Sequence, residues 1–110
     1  TNQERAAQLL CILLDNALKF VGEDGRIQLN ARLVGKRVEL CVRDNGPGIP
    51  KASLPHIFER FYKISQAQNP TGTGLGLAIA REIASGLDEK LWVESTEGAG
   101  AAFFFTICLA

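Results

Sequence analysis

The 110-residue chain is poor in the side chains that build metal sites and cross-links. Its single histidine has no metal-ligand spacing around it and cannot form a metal centre alone. The three cysteines Cys11, Cys41 and Cys108 are odd in number, widely spaced and set in apolar segments. This pattern predicts reduced thiols in the core and a reducing compartment, not a disulfide framework.

Neither sign of charge dominates, because 12 basic residues balance 12 acidic ones. No block of like charge favours a nucleic-acid or anionic membrane surface. No apolar run among the 110 residues reaches transmembrane length, and the first residues do not follow the pattern of a signal peptide. An apolar content of 46% with 22% charge is typical of a globular domain. We therefore expect residues 1–110 to be one domain, excised from a larger protein because the chain opens within a helical pattern.

An acidic residue lies at the end of a predicted strand. Val38, Leu40 and Val42 alternate with polar residues, and the same period places Asp44 on the apolar face. A carboxylate that points inward needs a partner. After it, Gly46 and Gly48 let a flat ligand approach the backbone. Two interpretations stay open: Asp44 bonds nearby backbone amides in a turn, or it binds a ligand.

The N-terminal segment, residues 3–20, has the period of an amphipathic helix. Its predicted core positions are Leu10, Leu13, Leu14, Ala17 and Leu18. Near its end Asn16 and Lys19 share one face. The alternative is that Lys19 forms a surface pair with Asp15 and Asn16 is solvated.

The middle of the chain combines short elements with a long polar segment. Alternation over residues 27–33 predicts a strand antiparallel to the one that ends at Asp44. Residues 53–61 predict a short helical turn in which His56 has a structural role and Phe58 and Phe61 pack in the core. Residues 63–73 are polar and aperiodic, and we expect them to form a mobile lid.

A glycine-rich loop then leads into a second helix. Its glycines alternate with other residues at Gly72, Gly74 and Gly76. Free amides and the positive end of the helix dipole make such a junction a site for phosphate. The spacing differs from the dinucleotide fingerprint and the P-loop. The helix is expected to end near Ser85–Gly86, and two more strands follow.

Four motifs in this order resemble the ATP-binding domain of sensor histidine kinases, in the GHKL superfamily. Residues 13–20 resemble the family's N box, 44–49 its G1 box, 57–63 its F box and 72–77 its G2 box. Val93–Ser95 with Gly98 and Gly100 is similar to its closing strand pair. The resemblance implies an α+β Bergerat fold. This is a two-layer sandwich with a mixed, mostly antiparallel sheet, helices on one face and a flexible ATP lid.

The resemblance also implies roles for single residues, with ATP and Mg²⁺ as cofactors. Asp44, beside Gly46 and Gly48, would accept a hydrogen bond from the adenine amino group. Asn16 would ligate Mg²⁺. The residues expected near the phosphates are Lys19, Tyr62, Lys63, Gly72, Gly74 and Gly76. No residue is assigned as a general base.

Two positions depart from the family pattern. Ile12 stands where a second asparagine is usual and where ATP-hydrolysing relatives have a glutamate base. An isoleucine can neither ligate metal nor activate water, which argues against a hydrolase. Lys63 replaces an arginine. It therefore supplies a compact ammonium charge instead of a planar guanidinium that can bind an anion through two parallel hydrogen bonds.

The implied function is transfer of the ATP γ-phosphate to a histidine on a separate dimerisation domain. That domain is absent, since His56 lacks the acceptor motif. A response regulator would be an indirect partner. A membrane would be contacted only through absent segments, and the domain would lie on its cytoplasmic side. Two alternatives stay open: a non-catalytic nucleotide-binding or docking module, and a serine kinase of the anti-sigma-factor type.

Overall fold

The computed structural model describes residues 2–21, 25–46, 48–59, 76–96 and 98–108. Within them the elements follow the predicted order of helix, two strands, short turn, helix and two strands. They are α1 (Asn2–Phe20), β1 (Ile27–Val34), β2 (Arg37–Asp44), a 3-10 turn (Leu54–His56), α2 (Gly76–Gly86), β3 (Leu91–Thr96) and β4 (Gly100–Cys108). The strands form one sheet in the order β1-β2-β4-β3.

All three strand pairings in the described residues are antiparallel. The α+β class and the two layers are confirmed, whereas no parallel pair of the expected mixed sheet occurs in this part of the chain. Gly35 closes the β1–β2 hairpin with a φ of 61°, a left-handed conformation that glycine adopts at little cost. The hairpin register pairs Val34 with Arg37 at the turn and Ile27 with Asp44 at the open end.

The core lies between the helices and one face of the sheet. Along α1 its fully buried members recur every four residues, at Leu9, Leu13 and Ala17. From the sheet it receives Val42, Phe103 and Phe105. Leu10 and Leu14 are partly buried beside this core. The prediction for Leu18 was wrong because its side chain is 63% exposed.

β1 is an exposed edge strand despite its alternating pattern. Leu29 and Leu33 belong to the helix-facing side of the sheet, yet they are 49% and 67% exposed. Their cross-strand partners, Val42 and Val38, lie one strand nearer the core. The described helices cover the inner strands and leave this edge open.

Only one of the three cysteines is buried. Cys41 is 7% exposed, and burial raises the pKa of its thiol although Arg43 opposes the rise. Cys11 and Cys108 are exposed, so the prediction of core thiols was wrong for these two. Cys11 lies inside an apolar run of α1 and Cys108 lies at the end of β4, and segment hydropathy does not decide which face of an element such a side chain takes.

In the described part of the predicted helical turn over residues 53–61, the helical segment is the 3-10 turn Leu54–His56, which contains Pro55. Phe58 packs edge-on against Phe103, with ring centroids 6.3 Å apart, which agrees with the predicted core role. The His56 ring bonds Glu59 at 2.7 Å, as expected for a structural histidine. Phe61 and the predicted lid, residues 63–73, lie outside the described residues.

A buried carboxylate closes the end of the sheet that lies away from Asp44. Glu89 accepts hydrogen bonds from Arg37 Nε at 3.0 Å, Thr106 Oγ1 at 2.7 Å and Cys108 N at 2.8 Å. Burial alone would raise the pKa of Glu89, but these donors outweigh it and hold the pKa below the ordinary value. Glu89 thereby joins the α2–β3 turn to both central strands.

Glu89→Ala is expected to lower the free energy of unfolding by about 1–3 kcal/mol at neutral pH, since it leaves the buried Thr106 hydroxyl without its acceptor and removes the ion pair with Arg37. Because the folded pKa is lowered, the stabilisation is present above the ordinary pKa of 4.5 and is lost as pH falls through the folded value. Urea unfolding at pH 7 and pH 3 measures both effects. The control is Arg32→Ala, which removes an exposed ion pair to Glu39. Equal losses for the two variants would contradict the role of Glu89.

Candidate functional site

Asp44 stands at one end of a row of side chains that crosses the sheet. The strand registers pair Asp44 with Ala101, and Ala101 with Ser95. All three project from the helix-facing side, as do the buried residues Val42 and Phe103. Ala101 is the small residue between the other two. Asp44 and Ser95 therefore lie on either side of it, about two strand spacings apart, or about 9–10 Å.

The Asp44 carboxylate is buried, as predicted, and bonds its own turn through one oxygen. It is 5% exposed, and its Oδ1 accepts a hydrogen bond from Gly46 N at 2.9 Å. The turn interpretation is therefore confirmed for this oxygen. An ionised carboxylate offers about four acceptor sites. Among the described residues no other donor reaches it, so acceptor capacity remains for a ligand.

The turn that follows Asp44 is fastened at both ends. Asn45 bonds Arg26 twice, with Arg26 N donating to Asn45 Oδ1 at 2.6 Å and Asn45 N donating to Arg26 O at 3.2 Å. At the other end, Ile49 N donates to Ser95 Oγ at 2.7 Å. The turn thus starts beside β1 and reaches β3. Gly48 has a φ of 77°, which explains why glycine is suited to this position.

Gly100 allows the start of β4 to touch the Asp44 backbone. A Cβ built on Gly100 would overlap the carbonyl oxygen of Asp44 and lie 3.0 Å from Asn45 Cα. Its φ of 110° also disfavours any side chain. Sequence reasoning noted Gly100 and Ser95 as part of the closing strands but did not place them at the site. Their contacts join residues distant in sequence, so no local pattern could reveal them.

The helical side of the site contains the end of α1 and the start of α2. Asn16 is half-buried. Lys19 Nζ lies 3.6 Å from Asp15 Oδ2, so the predicted surface pair is present. Exposed pairs at this spacing contribute only about 0.3–0.5 kcal/mol, which leaves Lys19 able to exchange Asp15 for a stronger anion.

Ile12 lies one helical turn before Asn16 and faces the start of α2. Its Cγ2 lies 3.8 Å from a Cβ built on Gly76. The last glycine of the glycine-rich loop is therefore held beside the helix face that carries Asn16. The predicted site residues Tyr62, Lys63, Gly72 and Gly74 lie outside the described residues.

Metal ions in proteins are commonly held by groups of His, Cys, Asp or Glu side chains. In the described ranges no group of three or more His, Cys, Asp or Glu side chains could hold a metal ion. Within the same part of the chain, no helix combines the length and hydropathy needed to cross a membrane.

Comparison with known families and sequences gives one consistent result. The family described as histidine kinase-, DNA gyrase B- and HSP90-like ATPase matches residues 1–110. The sensor histidine kinase YkoH of Bacillus subtilis is 47% identical over 103 residues, which are 92% of this chain and 22% of that protein. WalK of the same organism is 37% identical over 111 residues, covering 96% and 18% of the two chains. The chain thus spans about a fifth of these relatives.

Solved structures agree with the fold. The mycobacterial sensor histidine kinase MprB superposes with a TM-score of 0.86 at 28% identity, covering 96% of this chain and 72% of that one. The catalytic domain of histidine kinase ThkA gives 0.80 at 34% identity, with 96% and 66% covered. Full-length ShkA in complex with AMPPNP gives 0.81 at 33% identity, with 96% and 22% covered.

A two-layer α+β fold with an inward acid before a glycine turn, matched over its whole length by one family model, defines the class. The chain belongs to the histidine kinase-, DNA gyrase B- and HSP90-like ATPase family. Within it, the similar proteins are sensor histidine kinases, and the chain corresponds to their ATP-binding catalytic domain. The family resemblance deduced from the four motifs is confirmed.

Two glycine substitutions should have opposite effects on stability. Gly76→Ala is expected to keep or raise the free energy of unfolding, by up to about 1 kcal/mol, because its Cβ meets only Ile12 at an ordinary distance. Gly100→Ala should lower it, since the new Cβ overlaps the Asp44 carbonyl. Denaturant unfolding of both variants compares them. A stable Gly100→Ala variant would show that β4 does not hold Asp44 in this way.

Proposed function

We propose that this chain is the catalytic domain of a two-component sensor histidine kinase, a single ATP-binding unit over residues 1–110. It would transfer the ATP γ-phosphate to a histidine on a separate dimerisation domain. The observation that carries the proposal is the Asp44 carboxylate, buried at the sheet end beside a fastened glycine turn. The sensor-kinase relatives support it.

Asp44 would recognise the adenine base. A carboxylate accepts a hydrogen bond from the exocyclic amino group that adenine carries at C6, whereas guanine and hypoxanthine carry a carbonyl oxygen there. Two acceptors facing each other in a buried site leave both unsatisfied, which costs about 1–3 kcal/mol. The Gly46–Gly48 turn would let the base lie against the backbone. ATP is therefore favoured over GTP.

The phosphates would lie toward the helices. Gly76 opens α2, where free amides and the helix dipole favour an anion. Lys19 would exchange Asp15 for the phosphates, and Gly72, Gly74, Tyr62 and Lys63 complete the proposed set. Asn16 would supply one amide oxygen to Mg²⁺, which characteristically takes its other ligands from phosphate and water. The bound Mg²⁺ would neutralise charge on the phosphate oxygens.

The chain's own contribution would be positioning and electrostatics. Ile12 packs on the start of α2 and offers no group to activate water, which favours transfer over hydrolysis. The acceptor histidine and any general base would belong to the dimerisation domain. We further propose that a response regulator receives the phosphoryl group, and that the domain lies on the cytoplasmic side of a membrane-anchored parent.

A non-catalytic nucleotide-binding or docking module is the second candidate. Ile12 at a ligand position and Lys63 in place of an arginine favour it. A serine kinase of the anti-sigma-factor type is a third, disfavoured by the paired phenylalanines of the F-box segment. The decisive experiment mixes the domain with the phosphoacceptor domain of its parent and labelled ATP. An acid-labile, base-stable phosphoryl product is expected. Tight ATP binding without this product would identify the module instead.

Asp44→Asn should weaken ATP binding about 10- to 100-fold while leaving the fold intact, because it removes a charged acceptor and keeps the side-chain volume. Isothermal titration with ATP and inosine triphosphate measures the change. The matched control is Asp88→Asn, in the exposed turn at the opposite sheet end with a φ of 58° that asparagine also tolerates. Unchanged ATP affinity in the Asp44 variant would remove the adenine assignment.

Asn16→Ala should reduce the Mg²⁺ dependence of ATP binding and leave metal-free binding nearly unchanged, since only a metal ligand is lost. Nucleotide titrations with Mg²⁺ and with a chelator separate the two quantities. Asn30→Ala is the control, because Asn30 pairs with Cys41 on the opposite sheet face. If Asn16→Ala kept the full Mg²⁺ dependence, the metal-ligand role would be wrong.

A further inference from the structure

We propose that Ser95 is a positioning residue for base recognition: its hydroxyl holds the glycine turn and so sets the orientation of the Asp44 carboxylate. The inference rests on the proposed function, since it concerns how that same site distinguishes adenine from other purines. Ser95 lies two strands away from Asp44, so it would act through the turn and not by touching the base.

The Ser95 hydroxyl bridges two backbone segments. It accepts a hydrogen bond from Ile49 N at 2.7 Å and donates one to Gly100 O at 3.1 Å. A hydroxyl can donate and accept at once, and among small side chains only serine and threonine offer this. Ile49 itself is 7% exposed, so its amide would be orphaned in the core without this partner.

Together these contacts connect Ser95, the turn, Gly100 and the Asp44 backbone in one continuous series, which we call the circuit. Ser95 joins the far end of the turn, at Ile49, to Gly100. Gly100 in turn contacts the Asp44 carbonyl and Asn45 Cα so closely that a Cβ has no room. Both ends of the turn are therefore connected to Gly100, the first end directly and the second end through Ser95. The register confirms that Ser95, Ala101 and Asp44 form one cross-strand row beneath it.

The circuit determines where the Asp44 carboxylate points. Gly46 N, inside the turn, donates to Asp44 Oδ1 and fixes the side-chain rotation. If Ile49 is released, the Gly46 amide is free to move and Asp44 loses this restraint. Its second oxygen then no longer meets the amino group of adenine in one defined position. The phosphate contacts, which come from α1 and α2, do not depend on this circuit.

The test compares ATP with inosine triphosphate, whose base carries a carbonyl in place of the adenine amino group. Ser95→Ala should raise the dissociation constant for ATP about five- to tenfold and change that for inosine triphosphate much less. The ratio of the dissociation constant for inosine triphosphate to that for ATP, which measures base discrimination, should therefore fall. Ser95→Thr, which keeps the hydroxyl, should restore it. Combined with Asp44→Asn, the serine substitution should cause no further loss of discrimination.

Thr106→Val is the matched control. The Thr106 hydroxyl also bridges two segments of the sheet, accepting from Lys90 N at 3.1 Å and donating to Glu89 at 2.7 Å, but at the opposite end. Its loss should lower the thermal unfolding temperature and leave the nucleotide ratio unchanged. Circular dichroism checks that every variant folds.

The possible outcomes separate this inference from the proposed function. If Ser95→Ala lowers stability yet keeps the parental ratio, Ser95 is merely structural and the inference is overturned, while ATP binding through Asp44 stands. The inference is also overturned if the effects of Ser95→Ala and Asp44→Asn on this ratio are additive in the double variant. If the parent chain itself does not prefer ATP over inosine triphosphate, the proposed recognition of adenine by Asp44 is contradicted, and with it the role of Ser95.

Discussion

The structure depends on one constraint: a carboxylate placed inside the protein must be given partners. The two-residue period of β2 directs Asp44 inward with Val42, and water is largely excluded there. One oxygen is satisfied by the turn that follows, through Gly46 N. The remaining acceptor capacity is what the proposed function assigns to the amino group of a purine. Under that proposal, one side chain would combine local backbone bonding with ligand recognition.

Each end of the sheet contains a carboxylate, and the two carboxylates differ in how many hydrogen-bond donors they have. At the end away from the site, Glu89 takes three donors and its lowered pKa reflects a fully satisfied ion. At the site end, Asp44 has a single described donor and faces the glycine turn. A saturated carboxylate stabilises the fold, whereas an unsaturated one is available to a ligand.

Local periodicity was enough to predict the elements and the inward direction of Asp44, because each depends on neighbours in sequence. It also predicted the Lys19–Asp15 pair at helical spacing and a structural role for His56, whose ring bonds Glu59. It could not predict that β1 would be an uncovered edge, since alternation does not say which strand the helices reach. Nor could it place Leu18 or Cys108 outside the core. The Ser95 bridge to Ile49 spans 46 positions, a contact that only the assembled sheet creates.

The most direct test is a crystal structure of the domain with a non-hydrolysable ATP analogue and Mg²⁺. The account predicts the adenine amino nitrogen within hydrogen-bond distance of the Asp44 carboxylate, with the Gly46 and Ser95 hydrogen bonds retained and the phosphates toward Asn16 and the start of α2. An adenine bound elsewhere, or an Asp44 side chain turned away and satisfied only by the protein backbone, would contradict it.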